Sequence, residues 1–111
     1  ELPVVAPEMK LGEAVIHVSR GRLGLCVAEK EGKIVGIITD GDVRRAMETS
    51  QNNFFDLSVA DIMSVHPKTV SPETKITEID RILQENKIHS VLVADEEDHL
   101  VGIVDSFSTM F

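Results

Sequence analysis

Val5-Ala6-Pro7-Glu8-Met9-Lys10-Leu11-Gly12-Glu13 recurs further along the chain as Val70-Ser71-Pro72-Glu73-Thr74-Lys75-Ile76-Thr77-Glu78. The valine, the proline, both glutamates and the lysine keep their places, and Leu11 meets Ile76. Further on Leu23 meets Ile88 and, after a one-residue difference in length, Val35-Gly36-Ile37 meets Val101-Gly102-Ile103. Compositional bias does not hold identities in register from Val5 to Ile37, so the chain is a duplicated unit. The length difference falls where a turn is expected, between Glu29 and Ile34 of the first copy.

Both copies read alike. A β-branched pair (Val4-Val5; Thr69-Val70) leads through a proline into a helical pattern. Leu11, Ala14, Val15 and Val18 share one helix face, as do Ile76, Ile79, Ile82 and Leu83. Gly21 and Asn86 stand where a left-handed helix end is expected. Lys10 and Lys75 occupy the position before each helix, where a side-chain cap would be weak. An apolar strand follows (Leu23–Ala28; Val91–Ala94), then a charged turn, then a second strand (Ile34–Thr39; Leu100–Val104). The tight turn predicts an antiparallel hairpin in each copy. In the first copy another helix is expected to begin near Asp42. Ser50–Asn53 reads as a polar loop, and Ser58-x-x-Asp61 as a capping signal on a short helix ending near Met63. The order is β-α-β-β-α, twice, with repeats at 1–49 and 65–111 and a linker at 50–64. Neither half buries a satisfactory core alone, whereas two halves packed across a pseudo-twofold would. The crevice between them is then the expected ligand site.

Bulk composition narrows the function. The 111 residues carry a net charge of −8 with dispersed cations, which argues against nucleic acid or an anionic membrane as partner. No stretch reaches the ~18 apolar residues of a membrane span, and no signal peptide is visible. The single cysteine, Cys26, lies in an apolar run; no internal disulfide can form and a cytoplasmic setting is expected. A chain beginning Glu1-Leu2-Pro3 reads as a fragment of a longer protein.

With Gly36-Ile37-Ile38-Thr39-Asp40-Gly41-Asp42 closing one strand and opening the next helix, the duplication resembles a tandem pair of cystathionine β-synthase-type (CBS) domains. The implied fold class is α+β, α/β by some schemes, with small sheets packed against helices. A finer resemblance is to the C-terminal CBS pair of bacterial arabinose 5-phosphate isomerases. It is carried by Thr39-Asp40-Gly41-Asp42-Val43-Arg44-Arg45, Leu57-Ser58-Val59-Ala60-Asp61-Ile62-Met63 and Arg22-Leu23-Gly24-Leu25. That family interconverts ribulose 5-phosphate and arabinose 5-phosphate on the route to the lipopolysaccharide sugar Kdo. The resemblance therefore implies an N-terminal isomerase domain in cis, and no catalysis by this stretch.

From the residues alone, Thr39 and Asp42 flank a helix N-terminus, where a hydroxyl can donate to a phosphate and a carboxylate can accept from a ribose diol. Equally, they read as a strand end and a helix cap. The resemblance favours the ligand reading: Asp42 on the ribose, with Thr39, Arg44 and His89 on the phosphate and Arg45 and Lys68 behind them. The base wall is implied at Val65, Pro67, Lys68, Thr69, Ile88 and Ser90. The pseudo-symmetric second site is degenerate, with Asp105 where Thr or Ser belongs and Ser108 where the ribose carboxylate belongs. One nucleotide site is expected, its ligand CMP, CMP-Kdo, AMP or ATP.

The four histidines show no metal-ligand spacing, and no cofactor is expected. The turn Asp95-Glu96-Glu97-Asp98 reads as a solvated loop, with a weakly held cation as the alternative. Two functions compete: a regulatory module sensing a nucleotide or nucleotide-sugar, and a ligand-free module that holds subunits together as a homodimer or higher homo-oligomer.

Overall fold

The computed structural model describes residues 2–21 and 23–106, in the order β1 (Val4–Val5), α1 (Leu11–Arg20), β2 (Leu25–Lys30), β3 (Lys33–Thr39), α2 (Asp40–Ser50), a 3₁₀ segment (Gln51–Asp56), α3 (Val59–Ile62), β4 (Thr69–Val70), α4 (Ile76–Asn86), β5 (Ser90–Ala94) and β6 (Leu100–Asp105). The contacts divide into two units, one spanning Pro3–Pro67 and one built on the chain from Lys68 onward. Each holds a three-stranded sheet, in the order β1-β2-β3 and β4-β5-β6 respectively.

In the first unit β1 runs parallel to β2, and β2 pairs antiparallel with β3 in the register Cys26↔Ile38. The central strand is buried along Leu25–Ala28, as a middle strand covered on both faces must be. In β3 burial alternates, placing Ile34, Gly36 and Ile38 inward. Lys30 pairs with Lys33, and Glu31 (φ 54) and Gly32 (φ 80) between them are both left-handed, the signature of a type I′ hairpin turn. The second unit repeats the arrangement, and a register shift after Val93 answers the one after Ala28. Its hairpin turn is longer, running from Asp95 to His99.

The first unit's core gathers Leu11, Ala14 and Val18 from α1 with Ile38 from β3, and draws Phe54 and Val59 from the stretch after α2. The second unit's core is built by Val70, Ile79, Leu83, Val91, Val93 and Val104. The capping reading at Ser58 holds: its amide and hydroxyl both donate to Asp61 Oδ2, at 2.9 and 3.3 Å. Lys10 and Lys75 stand at the starts of α1 and α4, and neither gives a side-chain cap.

Several expectations are corrected. Gly21 is extended (φ −76), and the left-handed helix end in the second copy is Lys87 (φ 54) rather than Asn86. Asn86 stays helical, its side-chain amide donating to Ile82 O at 2.8 Å, and the chain reverses one residue later. Gly24 is left-handed (φ 67) in the turn before β2, which starts at Leu25 and not Leu23. Helix α2 starts at Asp40, two residues early, because the Asp40 amide finds the Gly24 carbonyl at 2.9 Å. Ser50 ends that helix, and Gln51–Asn53 are 3₁₀ rather than loop, since Phe54 turns inward to 3% exposure. Ile76, expected on the buried face of α4, is 52% exposed.

Cys26 is wholly enclosed in β2. Burial, with the Asp40 carboxylate as a lesser cause, pushes its thiol up to about 11, so it stays protonated and inert at neutral pH. Iodoacetamide at pH 8 is expected to alkylate the native protein at least ~100-fold more slowly than the urea-unfolded chain, because the thiol is reached only through unfolding. Equal rates would contradict its enclosure.

Candidate functional site

The corner between β3 and α2 carries the residues singled out in the sequence. Thr39 caps α2: its Oγ1 accepts from the Asp42 amide at 3.2 Å, while Asp42 Oδ2 accepts from the Thr39 amide at 2.9 Å. This reciprocal cap satisfies two amides that the helix leaves open. It leaves the Thr39 hydroxyl proton free to donate elsewhere, because the oxygen acts here only as acceptor. Arg45, one turn along, places Nη2 at 2.6 Å from Asp42 Oδ1, so each carboxylate oxygen already has a partner. The Asp42 side chain is 16% exposed against 68% for Arg45. Cap and ligand readings thus fall on the same atoms.

Gly41 stands between them. A Cβ at Gly41 would lie 3.3 Å from Arg45 Nη1 and 3.7 Å from Thr39 Oγ1, so hydroxyl and guanidinium converge over a bare backbone. Phosphate oxygens are met by such a set: a hydroxyl donor, a fork of N–H donors and the positive end of a helix. Arg44 lines a groove of about 180 Å³ with Val15, Ser19, Asp40, Val43 and Met47.

The other named residues distribute over both units. In the first, Ser64 pairs with Ile37 of β3 through two hydrogen bonds of 3.0 and 2.9 Å. Val65, His66 and Pro67 therefore leave from the edge of the strand that carries Thr39. Val65 is 58% exposed and His66 is left-handed (φ 54). In the second unit the Lys68 carbonyl accepts from Leu92, and Thr69 lies beside Leu92 in the sheet. Ile88 packs on that unit's core, whereas His89 is exposed. Ser90 opens β5 opposite Asp105, as Leu25 stands opposite Thr39, so Asp105 occupies the position equivalent to Thr39. Ser108 and Arg22 lie outside the described residues.

The sequence ranks Arg44 ahead of Arg45 as a phosphate contact, and the structure gives Asp42 to Arg45. The signal is the spacing: three residues along a helix puts Arg45 beside Asp42.

A cleft of about 580 Å³ opens at the turn end of the second sheet, against Glu73, Asp95, Glu96, Glu97 and Asp98. Its acidic wall suits an anionic ligand poorly. Asp95, Glu97 and His99 bring donor atoms within 4.8 Å of one another. Asp95 is already engaged: Oδ1 accepts from the amides of Glu97 and His99, and Oδ2 faces His99 Nδ1 at 3.1 Å. The His99 amide, with lesser help from its ring and the Glu97 amide, holds the Asp95 carboxyl below the usual carboxylate range. Among the described residues no helix is long and apolar enough to cross a membrane.

Comparison with known proteins gives a consistent picture. The CBS domain model matches twice, at residues 1–49 and 59–107. Arabinose 5-phosphate isomerase KdsD of Pseudomonas aeruginosa is 35% identical over 94% of the chain and 32% of its own length. A probable arabinose 5-phosphate isomerase of Haemophilus influenzae is 30% identical over 94% of the chain and 31% of its own length. The chain thus spans about a third of the length of the curated relatives it matches. Among solved structures, CBSX2 in complex with AMP superimposes with a TM-score of 0.85 at 22% identity, covering 97% of this chain and 84% of that one. The CBS domain protein PAE2072 from Pyrobaculum aerophilum, complexed with AMP, gives 0.82 at 19% identity, covering 95% and 80%.

Proposed function

The chain belongs to the CBS domain family, and on that footing we propose that it is the nucleotide-sensing module of a bacterial arabinose 5-phosphate isomerase, with catalysis in another part of the parent protein. The observation that carries this reading is the corner at Thr39 and Asp42: a hydroxyl free to donate, a mostly buried carboxylate, and a guanidinium over an uncovered glycine. Asp42 takes the ribose diol, and Thr39 with the arginines takes the phosphate. Val65 and Pro67, which belong to the same unit as Thr39 and Asp42, contribute to the base wall. The effector is CMP-Kdo, or CMP as its fragment, with adenine nucleotides the alternative; product feedback on an early step of sugar synthesis would use such a ligand.

The test is a thermal-shift titration of the protein with CMP, CMP-Kdo, AMP and ATP, repeated on Asp42→Ala and Asp42→Asn. A ligand that binds only the folded chain stabilises it by about 2.7 kcal/mol at a hundredfold excess over Kd. Both variants are expected to lose that increment. Asp42→Ala should also start about 1 kcal/mol lower from the broken cap, which is why only the ligand-induced difference is read. An increment that survives in both variants would place the site elsewhere.

Ile16 on α1 and Met47 on α2, 49% and 47% exposed, favour a second reading as a self-association module. No shift with any of the four nucleotides, together with a dimer in sedimentation equilibrium, would select it.

A further inference from the structure

We propose that Arg45 makes this site demand a phosphate, by holding the ribose-binding edge of Asp42 until a phosphate draws the guanidinium away. The inference rests on the nucleotide reading of Thr39 and Asp42 and adds the specificity that reading leaves open.

Three observations carry it. Asp42 Oδ2 is engaged by the Thr39 amide, so the edge a diol can compete for is Oδ1, and Arg45 Nη2 sits on it at 2.6 Å. The guanidinium lies against Gly41 with Thr39 Oγ1 close by, beside the set of groups that would meet a phosphate. Finally, Arg45 is 68% exposed, so it can swing between partners without disturbing the core.

Near the start of α2 the helix dipole opposes a cation, and Asp42 is what holds the guanidinium there. A ribose diol that takes Oδ1 strands Arg45 close to that positive end. A nucleoside offers nothing in exchange, so release of Arg45 works against its binding. A nucleoside monophosphate brings two negative charges within reach of the same fork, and Arg45 passes from carboxylate to phosphate with its charge-assisted bonds conserved. Arg45 is therefore a specificity-determining residue, acting on Asp42 before the ligand arrives and on the phosphate afterwards.

The experiment is isothermal titration of the protein, Arg45→Gln and Arg45→Lys with the matched pairs CMP and cytidine, and AMP and adenosine. Circular dichroism checks that each variant is folded. In the unaltered protein the monophosphate of the favoured base is expected to bind at least ~10-fold more tightly than its nucleoside. Losing a charge-assisted bond should weaken the monophosphate roughly tenfold in Arg45→Gln. Freeing Oδ1 should strengthen the nucleoside several-fold, on the order of the 2–5-fold expected from removing a partly exposed competing ion pair. The two shifts run in opposite directions, which a merely structural loss cannot produce. Arg45→Lys keeps the charge without the fork and should fall between. An unchanged monophosphate-to-nucleoside ratio in Arg45→Gln would overturn the proposal, as would finding that Arg44→Gln collapses that ratio instead. If the unaltered protein binds none of the four ligands, the role of Arg45 falls; the nucleotide reading falls with it when the thermal-shift titration with CMP-Kdo and ATP is flat as well. Binding that Asp42→Asn abolishes and Arg45→Gln leaves unchanged sinks the role of Arg45 alone.

Discussion

Leu11→Ala is expected to cost about 2–5 kcal/mol of folding stability, and Ile76→Ala, at the matching position of the second repeat, about 0.5 kcal/mol or less. Leu11 is fully buried at the first turn of α1, and its amide donates to the Leu57 carbonyl at 2.8 Å. Leu11 belongs to one core with Val5, Ile38, Phe54 and Val59, from four different segments whose strands and helices hold them in place, so the space a leucine leaves is not readily refilled. Against a total stability of about 5–15 kcal/mol for a chain of this size, that loss is a large fraction. Ile76 opens α4 in the same way but is half in solvent, so its truncation removes little burial. Urea denaturation of both variants, read as a midpoint change at constant slope, checks the contrast. Equal losses would mean that the two repeats bury their first helical turn alike, contrary to the enclosure of Leu11 and the exposure of Ile76.

Gly36→Val should destabilise the protein by on the order of 3 kcal/mol, from overpacking of about 1–3 kcal/mol and two weakened hydrogen bonds of about 1 kcal/mol each. A Cβ at Gly36 would stand 2.5 Å from Met63 Sδ, 2.8 Å from Met63 Cγ and 3.1 Å from the Ser64 carbonyl. The methionine can bend away; the backbone of Ser64 can move only by loosening its two bonds to Ile37. That segment leads into Val65–Pro67, and β3 leads into Thr39, so the strain reaches the candidate site from two sides. Amide exchange at Ile37 and Ser64 should quicken in this variant more than exchange in β5 and β6. A variant as stable as the parent, with Ser64 still protected, would show that the close approach to Met63 and Ser64 is not obligatory.

The hairpins are legible in the sequence because their cues are local. Apolar runs, a charged turn and a repeated Val-Gly-Ile triplet fix pairing within a few residues. Helix ends are less legible. Gly21 and Asn86 have the right residue chemistry for left-handed ends, but Gly21 leaves α1 extended and Lys87 rather than Asn86 ends α4, because the carbonyls to be satisfied set the position of a reversal. Ser50–Asn53 reads as a polar loop, and the Phe54-Phe55 pair that follows has no period to say which ring turns inward. Phe54 is among the most buried residues, while Phe55 is 73% exposed. At the candidate site Thr39, Asp42 and the i,i+3 spacing of Arg45 are legible, whereas the choice of Arg45 over Arg44 as the partner of Asp42 is made by the folded helix.

By itself the sequence determined that this chain is a duplicated unit of CBS type, each copy carrying β-α-β-β in that order, since internal identity and periodicity are properties of the string. It also marked the second copy as lacking the Thr/Asp pair, with Asp105 in the place of Thr39. Tertiary structure decided which equivalent residues are equivalent in fact. Leu11 is enclosed and Ile76 is not, because the segment after α2 returns across the first helix and supplies Phe54 and Val59 to its core. It likewise decided that Asp42 carries a cap and an ion pair at once. The reason is physical: burial and hydrogen-bond partnership are set by what folds back onto a residue, and a repeat in sequence does not repeat its surroundings.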